Sequence, residues 1–95
     1  MIIKWKYRPS GECPVESEGW FLGYYFYFRA RYDSATIEFS HSKEFWDNDL
    51  LHARYTLFRT EGQYSAGYLR NWFCKLLIYK GCFKFLLKRN KYKIL

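Results

Sequence analysis

The sequence predicts an α+β fold, in which a three- to four-stranded antiparallel β-meander packs against C-terminal α-helices within one small domain. Three observations carry this expectation. The first 40 residues alternate apolar and polar side chains at period 2. After Ser40 the apolar spacing changes to three and four residues. With 95 residues, 49% of them apolar and 26% charged, the chain has the composition of a globular domain and material for a single core. No repeat or low-complexity linker divides it.

Ile3, Trp5 and Tyr7 alternate with Lys4, Lys6 and Arg8, a strand with one wet face that Pro9-Ser10-Gly11 ends. Residues 14–22, 24–32 and 35–40 form a meander if turns fall at Leu22-Gly23 and Asp33-Ser34. One face then pairs Val15 with Ala30, Ser17 with Phe28 and Gly19 with Phe26, and next Ala30 with Ile37 and Phe28 with Phe39. Large residues meet small ones, as a packed face requires. The other face pairs Trp20 with Tyr25, Glu18 with Tyr27 and Glu16 with Arg29, and Arg29 in turn faces Glu38. Opposite charges stand across from each other.

Ser42 is placed to cap a helix beginning at Lys43, and Leu50, Leu51, Tyr55 and Phe58 recur at helical intervals. A fourth strand over residues 53–59 is the rival, since Tyr55, Thr56 and Phe58 suit a sheet. Farther on, Ser65 can cap, and Leu69, Trp72, Phe73 and Leu76 make an apolar stripe that Gly81 could end. Phe83, Leu86, Leu87 and Asn90 continue at helical spacing opposite Lys80, Lys84, Lys88 and Lys91, as a second helix or a continuation.

Several function classes are excluded or disfavoured by the residues themselves. The longest apolar run has five residues, against roughly 20 for a membrane-spanning helix. Residues 1–6 contain no apolar leader, and Cys13, Cys74 and Cys82 lack paired spacing, so a cytoplasmic protein with free thiols is expected. His41 and His52 have no metal-ligand spacing with these cysteines, and no metal or cofactor is expected. No nucleophile elbow and no phosphate-binding glycine loop occurs. Glu16 and Glu38, two strand spacings or about 9.6 Å apart, approach the separation of an inverting glycosidase pair. An arginine between them would lower both pKa values, so a cross-strand salt-bridge ladder is the expectation and catalysis is not.

Charge and aromatic content point toward binding. The chain carries a net +7 and 23 Phe, Tyr and Trp residues. Residues 1–62 hold eight Lys/Arg and all nine Asp/Glu; residues 63–95 hold eight Lys/Arg and no acid. Two candidate surfaces follow. One is the outer sheet face, where Trp20, Tyr25 and Tyr27 beside Arg29 and Arg31 could stack bases, unless helices or a second subunit cover them. The other is the basic C-terminal segment, with Arg70, Lys75, Lys80, Lys84, Lys88 and Lys91, and Arg89 and Lys93 nearby. Its amphipathic character also suits a membrane surface or an acidic protein. The sequence therefore predicts a non-enzymatic binding protein with an acidic partner, foremost nucleic acid. The alternative is a protein-protein interaction module or small inhibitor, such as a phage or mobile element encodes, acting through its aromatic surface. Self-association into a homo-oligomer would cover surplus aromatic area.

Overall fold

A computed structural model of the chain describes residues 3–10, 15–31, 34–59 and 70–94, with side chains as far as Lys88 in the last segment. The elements are β1 (Lys4–Ser10), β2 (Val15–Phe21), β3 (Tyr24–Arg31), β4 (Ser34–Ser40), α1 (Lys43–Asp47), β5 (Ala53–Arg59) and α2 (Asn71–Ile94). The strands form one antiparallel sheet in the order β1-β2-β3-β4-β5. The α+β meander thus has five strands rather than three or four.

The β2–β3 register is the expected one: Val15 opposes Ala30, Ser17 opposes Phe28 and Gly19 opposes Phe26. Leu22 and Gly23 both have positive φ, 53° and 82°, the two-residue turn whose twist matches a hairpin. Leucine is strained in this conformation and its side chain is half exposed. Leu22→Asn is therefore expected to stabilise the protein by about 0.5–1 kcal/mol, read as a higher urea midpoint with an unchanged slope.

The β3–β4 register differs from expectation by two residues. Arg31 opposes Ser34 directly, so Phe28 meets Ile37, Phe26 meets Phe39 and Tyr27 meets Glu38, while Arg29 faces Thr36. A shift of two leaves every side chain on its own face, so hydrophobic patterning cannot detect it. The salt-bridge ladder of Glu16, Arg29 and Glu38 is thereby replaced. In β1 a register shift between Trp5 and Tyr7 leaves Trp5 opposite Gly19 but sets Tyr7 opposite Glu18, on the outer face.

The helix expected after Ser42 is one short turn. Ser42 does cap it, accepting from the Phe45 amide at 3.2 Å. Asn48 then closes the helix and Asp49 adopts positive φ, 60°. Residues 53–59 form the strand, because Tyr55 and Leu57 alternate as buried positions with exposed Arg54 and Thr56.

The region of Ser65 and Leu69 lies outside the described residues. From Asn71, α2 runs unbroken past Gly81, which is buried against the sheet rather than ending the helix. A Cβ built there would stand 2.7 Å from Ile37 Cγ2. Cys74, Leu77, Ile78, Cys82 and Phe85 fill the layer between α2 and the inner sheet face, meeting Val15, Phe26, Phe28, Ile37, Phe39, Tyr55 and Leu57. Burial pushes the Cys74 and Cys82 thiols up to about 11 and about 12, leaving both without thiolate at neutral pH. Among the described residues no helix is long and apolar enough to cross a membrane.

Candidate functional site

The outer sheet face is occupied by side chains of the chain itself. Tyr25 is fully buried and donates its hydroxyl hydrogen bond to Glu18. Tyr27 donates to Glu16 at 2.7 Å. Trp46, the one large aromatic that α1 turns toward the sheet, stacks on Tyr27 at 4.7 Å between ring centroids and 19° between planes. Its indole N–H donates to Glu38 at 3.1 Å. The short helix therefore closes the Tyr25/Tyr27 platform, and Trp20 remains half-buried at one end of it.

The electrostatics of this face are those of a buried polar network. Burial alone would raise the Glu18 carboxyl, but the Tyr25 hydroxyl and the Lys43 and Lys6 ammoniums, each 3.5 Å away, hold it below the usual range. Burial, reinforced by Glu18 and Glu16, lifts Tyr7 to about 12 and pushes Tyr25 and Tyr27 higher. None of the three tyrosines can act as a neutral-pH base. A depressed carboxylate pKa stabilises the fold above its unfolded value, near 4.3, and that contribution disappears as pH falls through the folded value. Glu18→Gln is thus expected to cost about 1–2 kcal/mol at pH 7. In urea titrations the gap between variant and wild type should narrow steadily below about pH 4.

His41 and His52, eleven residues apart in sequence, come together with ring centroids 5.0 Å apart, both against Tyr24. Among the described residues no three His, Cys, Asp or Glu side chains are grouped as a metal site would require.

The basic candidates sit on α2, but their arrangement differs from the expected one. Lys75 extends toward β1, its ammonium 6.0 Å from the Trp5 ring centroid. On the other flank Lys80 donates to the Leu57 carbonyl at 3.5 Å, and Lys88 lies 4.9 Å from the Tyr55 ring centroid. Lys84 is half-buried and Arg70 is exposed just before the helix; the side chains of Lys91, Arg89 and Lys93 lie outside those described.

Between these flanks, directly away from the sheet, stand Trp72, Leu76, Phe83 and Leu87. They are 61%, 55%, 52% and 53% exposed. Of Phe83, Leu86 and Leu87, which the sequence sets opposite the lysines, only Leu86 packs against the core. The spacings from 72 to 76, 83 and 87 are near-integral helical turns, so the four form one stripe opposite Cys74, Ile78, Gly81 and Phe85. No sequence signal distinguishes this stripe from the core stripe, because α2 is apolar on both sides.

Acidic groups are distributed in the opposite sense. Glu16, Glu18, Glu38, Glu44, Asp47 and Asp49 belong to the sheet, to α1 or to the turn after it, whereas α2 carries seven Lys/Arg and no acid. No protein-family model, curated protein sequence or solved structure matches the chain.

Proposed function

We propose that the protein is a non-catalytic interaction module that engages an acidic protein surface through the outward face of α2. The observation that carries this reading is the stripe of four large apolar side chains, each more than half exposed, bounded by lysines on a helix without a single acid. Its complement has an apolar centre and a carboxylate rim. A second copy of the same helix would bring lysines against lysines, which argues against a homodimer through this face.

Nucleic acid is the second reading, favoured by the acid-free charge of residues 63–95. A phosphate backbone would pair with the lysines and leave Trp72, Leu76, Phe83 and Leu87 in water, whereas an acidic protein surface covers both.

Fluorescence anisotropy separates the readings with two labelled probes at equal ionic strength. One is a synthetic amphipathic peptide with a leucine face rimmed by glutamates; the other is a 20-residue oligothymidylate. The peptide is expected to bind more tightly and to lose at least tenfold in affinity with Leu76→Ser/Phe83→Ser, a variant that retains its circular dichroism because both side chains are exposed. Tighter binding of the oligonucleotide, unaffected by that variant, would overturn the protein reading in favour of nucleic acid. Preferential binding to phosphatidylglycerol vesicles would overturn it as well.

A further inference from the structure

On the outer sheet face, opposite α2, Arg29 and Arg31 of β3 and Arg54 of β5 line a cleft of about 160 Å³ together with Ser34 and Thr36 of β4. The register explains why they converge. Arg29 opposes Thr36 and Arg31 opposes Ser34, so two small hydroxyl residues on β4 form the floor between arginines rooted in the strands on either side. Those outer strands lie two spacings, roughly 9.6 Å, apart, a distance that long guanidinium side chains span toward each other.

One donor of a cleft-lining arginine is orphaned. The Arg29 Nε–H is buried and has no hydrogen-bond partner. Glu16, its neighbour across β2, is engaged by the Tyr27 hydroxyl instead. Glu38 is 3.8 Å from Arg54 Nε and also accepts from Trp46. Among the described residues, these two carboxylates are the acids beside Arg29 and Arg54 on β2 and β4. A buried donor without a partner is uncommon in folded proteins and calls for an acceptor.

We infer that this cleft is a binding site for a phosphate group, free phosphate or a phosphomonoester, held by Arg29, Arg31 and Arg54 with the Ser34 and Thr36 hydroxyls. Guanidinium forks match the oxygens of a tetrahedral oxyanion two at a time, and the hydroxyls donate from below. The volume, about 160 Å³, accommodates a single phosphate group. The site is separate from α2, so its test and that of the α2 contact surface succeed or fail independently.

Isothermal titration with sodium phosphate and with phenyl phosphate, in 50 mM sodium chloride at pH 7.5, provides the test. Saturable one-to-one binding is expected, with a dissociation constant below 1 mM. Arg29→Gln and Arg54→Gln should each weaken it at least tenfold. Lys4→Gln, the same change of charge at the far end of the sheet, should alter it less than twofold. Circular dichroism of each variant confirms that the fold is retained, and Thr36→Val supplies a neutral variant, expected to weaken binding severalfold. No saturable heat by 10 mM phosphate would overturn the assignment, as would binding equally sensitive to Lys4→Gln. Binding of an oligothymidylate that is lost with Arg29→Gln while both phosphates fail to bind would reassign the cleft to a phosphodiester backbone and also overturn it.

Discussion

Replacing Phe39 with alanine is expected to unfold a large fraction of the protein. Phe39 is fully buried near the C-terminal end of β4, stacked on Phe85 of α2 with centroids 4.3 Å and planes 11° apart, and it also touches Phe26 and Tyr55. Removing a buried phenyl ring costs about 3–5 kcal/mol through lost burial and the cavity left behind. A domain of this size has roughly 5–14 kcal/mol in total. The urea midpoint of Phe39→Ala should therefore fall by about half, whereas Phe39→Leu, which keeps most of the volume, should lose about 1 kcal/mol. A Phe39→Ala protein as stable as wild type would mean that α2 does not pack over β4.

Gly81 provides the second large effect, and its sign runs against helix propensity. Alanine is better than glycine inside a helix by about 1 kcal/mol, so Gly81→Ala would ordinarily stabilise α2. Here the new Cβ meets Ile37 Cγ2 at 2.7 Å and both Leu57 methyl groups at 3.3 Å. Overpacking of this kind costs about 1–3 kcal/mol, enough to cancel or reverse the gain. Gly81→Val, with two further methyl groups aimed at the same wall, should lose about 3 kcal/mol. Combining Gly81→Ala with Ile37→Ala should be less damaging than the sum of the single changes, a coupling that a double-mutant cycle reads directly.

Such contacts also mark what the sequence could and could not convey. The β2–β3 register is legible because three independent features agree on it: the Gly19 to Phe26 fit, the Leu22-Gly23 turn and the Glu16 to Arg29 charge pairing. The β3–β4 register lacks that redundancy, since a slip of two residues keeps both faces intact and only the turn geometry chooses between them. Residues 53–59 suit helix and strand equally in composition; Asn48 and Asp49 stop the helix, and burial of Tyr55 and Leu57 against α2 then decides for a strand.

The candidate surfaces follow the same logic. Tyr25 and Tyr27 read as an open aromatic platform because nothing local reveals that Trp46, some twenty residues later, stacks over it. The α2 stripe was hidden for a different reason. Trp72 and Leu76 have the spacing of core residues, and only the fold, which buries Gly81 against Ile37 and Leu57, fixes which side of the helix is covered. The lysines were legible as a basic segment; that they flank an exposed apolar stripe rather than oppose a buried one required the fold.

The central claim is that the sheet buries one face of α2 and leaves the opposite face as the contact surface, while Trp46 closes the outer aromatic face. Amide chemical-shift mapping of the labelled protein with the acidic amphipathic peptide tests it most directly. Perturbations are expected between Trp72 and Lys88, with the amides of Trp20, Tyr25 and Tyr27 unmoved. Perturbations centred on Trp20, Tyr25 and Tyr27, with α2 unaffected, would contradict it.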